Sequence, residues 1–127
     1  MAKKKSIRVL IVDDSEQFTM FLRRNLLSRN YEIVGEAEDG EQAINLFKSE
    51  KPDLTLLDFE MPTTTGDEVL EEILNLNPDA RVIMITGRDD IATMNLCIEK
   101  GAFHYIRKDY PPETIFSVIE ESLAKVN

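Results

Sequence analysis

The sequence predicts an α/β fold: an open, doubly wound, five-stranded parallel sheet with helices on both faces. Three observations carry this. Short apolar runs alternate with longer stretches of helical spacing along the whole chain. The runs at 9–12, 54–57 and 82–85 are nearly continuous and lack the polar alternation of a half-exposed strand, which suits strands covered on both faces. Turn-forming residues fall between the runs, at Asp39-Gly40, Lys51-Pro52-Asp53, Asn77-Pro78-Asp79 and Lys100-Gly101.

The expected strands are 8–13, 33–37 (the weakest pattern), 54–58, 81–86 and 103–107. Each is followed by an apolar stripe at helical spacing. The first stripe is Phe18, Phe21, Leu22 and Leu26; the second is Ala43, Ile44 and Phe47. Val69, Leu70, Ile73 and Leu74 form the third. Ile91, Met94 and Ile98 share a face in the fourth, and Ile115, Ile119, Leu123 and Val126 in the fifth. Pro111 and Pro112 open the last, where a first helical turn tolerates proline. Five βα units result, and strands alternating with helices in this way build a parallel sheet.

A length of 127 residues fits one domain with a sizeable core. Residues 1–6, with Lys3-Lys4-Lys5, read as a disordered, solvated basic tail, which leaves 7–127 as the domain. The net charge of −9 argues against nucleic acid as a partner, because a phosphate backbone wants a basic surface. Cys97 is the only cysteine, so no intrachain disulfide can form; it reads as a small core residue in a reducing, cytoplasmic protein. No apolar run reaches membrane-spanning length, and 7–12 is too short and too soon charged for a signal peptide.

In open parallel sheets, ligands bind beyond the carboxyl ends of the strands. The first strand ends in Asp13-Asp14-Ser15, the third in Asp58, the fourth in Thr86 and the fifth near Lys108. Singly, each has an ordinary role: Asp13, Asp14 or Ser15 as a helix N-cap, Thr86 as a strand residue, Lys108 as a solvated side chain. Together they set three carboxylates, a hydroxyl and an ammonium on one edge of the sheet. Clustered carboxylates raise one another's pKa unless a cation neutralises them. Mg²⁺ fits, because it keeps several waters and needs only a few carboxylates plus a phosphate. His104 is the only histidine and there is no cysteine pair, so zinc is not expected. A Mg²⁺ site with a spare carboxylate, a lysine and a hydroxyl suits phosphoryl transfer: the carboxylate attacks phosphorus, and metal and lysine neutralise the phosphoryl oxygens.

The motifs VLIVDDS at 9–15, EAEDGEQAI at 36–44, PDLTLLDFEMP at 52–62, VIMITG at 82–87 and GAFHYIRK at 101–108 resemble the receiver domain of response regulators, the CheY-like family. The resemblance covers almost the whole chain. It implies a flavodoxin-like strand order, 2-1-3-4-5, and a receiver domain over 7–127. It also implies site roles. Asp58 is the phosphoacceptor. Asp14 binds Mg²⁺ directly, Asp13 through water, and Asp58 and the backbone carbonyl of Glu60 complete the protein ligands. Lys108 pairs with the phosphoryl group, Thr86 moves to hydrogen-bond it, and Tyr105 is the aromatic switch that follows Thr86. Glu60 and Arg88 flank the mouth of the site and modulate dephosphorylation. The implied donor is a phosphohistidine on a sensor histidine kinase or a phosphotransfer protein. The implied target docks on the fourth helix, fifth strand and fifth helix.

So read, the chain is a stand-alone phospho-receiver of a two-component or phosphorelay system, with chemotaxis among the pathways it suits. It catalyses only its own phosphorylation and dephosphorylation and is not a turnover enzyme. Two positions depart from the family pattern. Asp109 follows Lys108 where the family usually has proline, often across a cis bond; a cis non-proline bond costs roughly 2.5–4 kcal/mol, so a trans bond is expected. Thr65 precedes Gly66 where the family often has an acid, which alters only a loop. Three rival readings remain. A small Mg²⁺ phosphatase of haloacid dehalogenase type also uses a strand-end aspartate, and Asp58-Phe59-Glu60 superficially fits. That motif belongs on an early strand, carries a second aspartate and works with a cap domain. A flavin module needs a phosphate loop after the first strand, where this chain has acids instead. A receiver-shaped module that is never phosphorylated would have no need of the acid triad.

Overall fold

The computed structural model describes residues 6–124, so Lys3-Lys4-Lys5 and the Val126 end of the last stripe lie outside the described residues. Five βα units follow in order: β1 (Arg8–Val12), α1 (Glu16–Ser28), β2 (Glu32–Ala37), α2 (Gly40–Glu50), β3 (Leu54–Leu57), α3 (Gly66–Leu76), β4 (Val82–Thr86), α4 (Ile91–Glu99), β5 (His104–Arg107) and α5 (Pro112–Ala124). All strands are parallel, in the order β2-β1-β3-β4-β5. This is the expected fold and strand order. The winding reverses between β1 and β3, and that switch point opens the crevice where ligands bind in such sheets.

Successive side chains of a strand point to opposite faces, and both faces of this sheet are covered. Val9 and Ile11 pack with Leu22 and Leu26 of α1 and Ile115 and Ile119 of α5. Leu10 and Val12 pack with Ile44 and Phe47 of α2 and Leu70 and Ile73 of α3. Residues 9–12 are therefore all fully buried, which is why β1 reads as a continuous apolar run.

α4 corrects one expectation. Ile91, Met94 and Ile98 do share a face, but it faces solvent, at 68%, 37% and 46% exposure. The buried residues of α4 are Thr93 and Cys97. The helix carries apolar residues on most sides, so spacing alone does not select the inward face. Polar anchors at each end fix its rotation. Asp90 caps the first turn through the Thr93 N–H at 2.9 Å, and Lys100 at the C-cap donates to Asp67 of α3 at 2.9 Å.

Candidate functional site

β1 and β3 stop one residue short of their acids, yet the backbone of each acid stays pinned to the sheet. The Asp13 N–H donates to the Ala37 carbonyl and the Asp58 N–H to the Val12 carbonyl, both at 2.9 Å. The Lys108 N–H donates to the Thr86 carbonyl, also at 2.9 Å. One further ladder bond thus fixes each residue just where its side chain leaves the strand direction. Ser15 caps α1, accepting from the Phe18 N–H at 3.2 Å, and the chain turns away behind the acids.

Oxygens of Asp13, Asp14 and Asp58 lie within 4.8 Å of one another, the one such group among the described residues. Asp13 and Asp58 are buried and Asp14 is exposed. Lys108 closes the cluster, donating from Nζ to Asp13 Oδ2 at 2.9 Å and Asp58 Oδ2 at 3.1 Å. The second oxygen of Asp13 accepts from the Ser15 N–H at 2.7 Å, and Asp58 Oδ1 has only a 3.4 Å contact from the Glu60 N–H. Burial pushes the Asp13 carboxyl up, against the bonds from Lys108 and Ser15, with Asp58 adding a smaller push. Burial alone would lower the Lys108 ammonium, but Asp13 and Asp58 outweigh it and hold it above its ordinary value. The donors are all oxygens, two of them desolvated, on an edge with one counter-charge for three carboxylates. That chemistry fits a hard divalent cation.

The Lys108 contacts answer the question raised by Asp109. No peptide bond among the described residues is cis, and Lys108 still reaches both acids. Asp109 turns outward to Arg107, with Oδ1 accepting from Nε at 3.0 Å.

The loop after β3 is closed by a bridge between Glu60 and Thr65 and by the Gly66 N–H, which donates to the Phe59 carbonyl at 2.7 Å. Gly66 is required by close approach: a Cβ there would lie 2.7 Å from the Phe59 Cα. Thr86 is fully buried, and its Oγ1 accepts from the Arg88 N–H at 3.3 Å. Tyr105 is half-buried and donates its hydroxyl to the Arg88 carbonyl at 2.8 Å. Burial first, then nearby Cys97 and Asp90, pushes its phenol up to about 12, so it remains a donor.

Glu60 and Arg88 do face each other, with Arg88 Nη1 3.8 Å from Glu60 Oε2. The tighter partner of Arg88 is Asp90, at 3.0 Å from Nε. Asp90 and Thr93, which also contacts Arg88, are additions to the site that sequence reasoning did not supply; the Asp90-x-x-Thr93 cap pattern was their signal. Phe18 is another addition: its ring centroid lies 4.7 Å from Lys108 Nζ, and nothing in the sequence marks that contact.

The chain matches the family described as "Response regulator receiver domain" over residues 9–120. It is 38% identical over 112 residues to Protein CcdB of Bacillus subtilis, covering 88% of this chain and 93% of that protein. It is 34% identical over 120 residues to Chemotaxis protein CheY of Thermotoga maritima, covering 94% and 97%. Among solved structures, the CheX-CheY-BeF3-Mg+2 complex from Borrelia burgdorferi matches with a TM-score of 0.88 at 30% identity, covering 92% of this chain and 89% of that one. With the three acids and the lysine gathered at the carboxyl edge of the sheet, and a family match along nearly the whole described fold, the chain belongs to the receiver domains of two-component response regulators.

Proposed function

We propose that Asp58 accepts a phosphoryl group from a phosphohistidine donor, a sensor histidine kinase or a phosphotransfer protein, in a Mg²⁺-dependent reaction. The observation that carries this is the meeting of Asp13, Asp14 and Asp58 within 4.8 Å, with Lys108 on the two buried acids. Asp14 would hold Mg²⁺ directly, Asp13 through water, and Asp58 and the Glu60 carbonyl would complete the protein's share. The ion supplies charge neutralisation to the oxygens of the transferring phosphoryl group.

The remaining steps belong to the chain's own residues. A carboxylate oxygen of Asp58 forms the new P–O bond as the P–N bond of the donor breaks, and the bonding pair leaves with the imidazole. Lys108, already 3.1 Å from Asp58, stays beside the acceptor and neutralises a phosphoryl oxygen. The Thr86 hydroxyl turns to donate to another. Tyr105 follows, because its partner, the Arg88 carbonyl, belongs to the segment that Thr86 holds. Glu60 and Arg88 stand at the mouth and screen the path of the water that would hydrolyse the acyl phosphate.

The output is a change in partner binding on α4, β5 and α5. This reading is supported by the aliphatic side chains of Ile91, Met94, Leu96 and Ile98, all of which face solvent on one short helix. Chemotaxis is the pathway favoured by the relatives named as chemotaxis proteins. A cytoplasmic place agrees with this: none of the described helices is long and apolar enough to cross a membrane. The domain turns over no substrate beyond its own phosphate.

The test is intact mass after incubation with acetyl phosphate. Wild type with Mg²⁺ should gain one phosphoryl group, and wild type with EDTA or Asp58→Ala with Mg²⁺ should gain none. Equal labelling of Asp58→Ala would overturn the assignment.

A further inference from the structure

We propose that Arg88 is the junction through which phosphorylation at Asp58 reaches the first turn of α4. The inference rests on the reading of Asp58 as phosphoacceptor. Five of the interactions around the mouth of the site converge on this one residue. Its N–H donates to Thr86 Oγ1 at 3.3 Å, and its carbonyl accepts from the Tyr105 hydroxyl at 2.8 Å. Its guanidinium donates to Asp90 Oδ1 at 3.0 Å and to Thr93 Oγ1 at 3.3 Å, and lies 3.8 Å from the Glu60 carboxylate.

Asp90 is a shared acceptor. Oδ1 takes Arg88, while Oδ2 takes the Thr93 N–H at 2.9 Å and the Thr93 hydroxyl at 2.7 Å. The bonds from Thr93 and Arg88 hold its carboxyl well below the usual carboxylate range, so it is ionised in this arrangement. The first turn that this cap starts has little else to hold it, since the Lys100 anchor lies at the far end of the helix. Only Thr93 and Cys97 of α4 are buried, and both are small. A single cap then carries a large share of the stability of its first turn.

Phosphorylation acts on both ends of this junction. The Thr86 hydroxyl that accepts from the Arg88 N–H is the group that turns toward the phosphoryl oxygens. The added negative charge beside Glu60 draws the guanidinium toward the mouth and away from Asp90. Either movement pulls on the cap of α4. The aliphatic face of Ile91, Met94 and Ile98 is carried on that helix, so the change arrives on an exposed surface.

Thr86 and Tyr105 touch Arg88 only through its backbone. Arg88→Ala therefore spares both of those bonds and removes the guanidinium, which separates this route from one running through Thr86 and Tyr105 alone. The experiment is hydrogen exchange of the amides of 91–95, with and without beryllofluoride plus Mg²⁺, in wild type, Arg88→Ala and Asp90→Asn. Protection of 58–62 reports occupancy of the site in each protein. In wild type, exchange at 91–95 should differ between the two states. In resting Arg88→Ala it should be faster by at most about fivefold, because Asp90 still caps the helix and only its exposed ion pair with Arg88 is lost. In both variants, most of the difference between states should vanish at full occupancy. Asp90→Asn keeps a cap oxygen and tests the ion pair alone. A wild-type difference retained in either occupied variant overturns the proposal, as does an occupied wild type with no change at 91–95. If 58–62 fail to respond in wild type, the reading of the site falls and this inference falls with it.

Discussion

Millimolar Mg²⁺ should raise the melting temperature of this protein, and Asp14→Ala should abolish the rise. The magnitude follows from the geometry. Asp13 and Asp58 are each only 4% exposed, and their oxygens lie within 4.8 Å of Asp14. Lys108 bridges the two buried acids, so one of three negative charges is already offset without metal. The residual formal charge of two matches a single divalent cation. Metal bound only by the folded state adds about 1.4 kcal/mol at ten times Kd and about 2.7 kcal/mol at a hundred times. At roughly 4 °C per kcal/mol for a domain of this length, the rise is about 6 °C and about 11 °C. Asp14 is exposed and takes part in no core packing, so Asp14→Ala should fold, with a metal-free melting temperature equal to or above that of wild type. The assay is a thermal melt across a Mg²⁺ titration, with NaCl at matched ionic strength as the control for screening. An equal rise in NaCl, or an undiminished Mg²⁺ effect in Asp14→Ala, would refute the reasoning.

Gly66→Ala would place a Cβ 2.7 Å from the Phe59 Cα and 3.0 Å from the Asp58 carbonyl carbon. It should cost about 1–3 kcal/mol and weaken Mg²⁺ binding by shifting the Glu60 carbonyl; a wild-type melt and titration would contradict this. Asp67, 11% exposed at its side chain, accepts from Lys100 at 2.9 Å. Burial raises its carboxyl, but bonds from Thr65 and Lys100 prevail and hold it below its ordinary value. A carboxyl depressed in the folded state stabilises above its unfolded pKa and loses that contribution as pH falls through the folded value. Asp67→Asn should therefore cost about 1–2 kcal/mol at pH 7, and the cost should shrink as pH falls below the ordinary aspartate pKa of about 3.9; a difference that stays constant across denaturation at pH 7 and in acid would count against it. Glu60→Ala and Arg88→Ala should each speed loss of phosphate by at most about fivefold, because an exposed pair is worth about 0–1 kcal/mol. The double variant should fall short of the product of the two, and unchanged or slower release in all three would remove the screen.

The fold was legible because β1, β3 and β4 are covered on both faces and so appear as unbroken apolar runs. The candidate site was legible because a parallel sheet sends Asp13, Asp58, Thr86 and Lys108 to its carboxyl edge, where ligands bind in such folds. The inward face of α4 was not legible. Its apolar residues surround the helix, and the deciding contacts are Asp90 with Thr93 and Lys100 with Asp67, the second spanning 33 residues. The tighter partner of Arg88, Asp90, was not legible for a related reason. Charge pattern alone offers Glu60 and Asp90 equally, and only the cap geometry brings Asp90 to 3.0 Å while Glu60 stays at 3.8 Å.

The most direct test of the account is to locate the phosphoryl group. Wild type phosphorylated by acetyl phosphate in Mg²⁺ should be digested at low temperature and sequenced by tandem mass spectrometry with the acyl phosphate intact. The account predicts one modified residue, Asp58, and none when EDTA replaces Mg²⁺. A phosphoryl group on Asp13, Asp14 or a hydroxyl residue, or one acquired equally without metal, would contradict it.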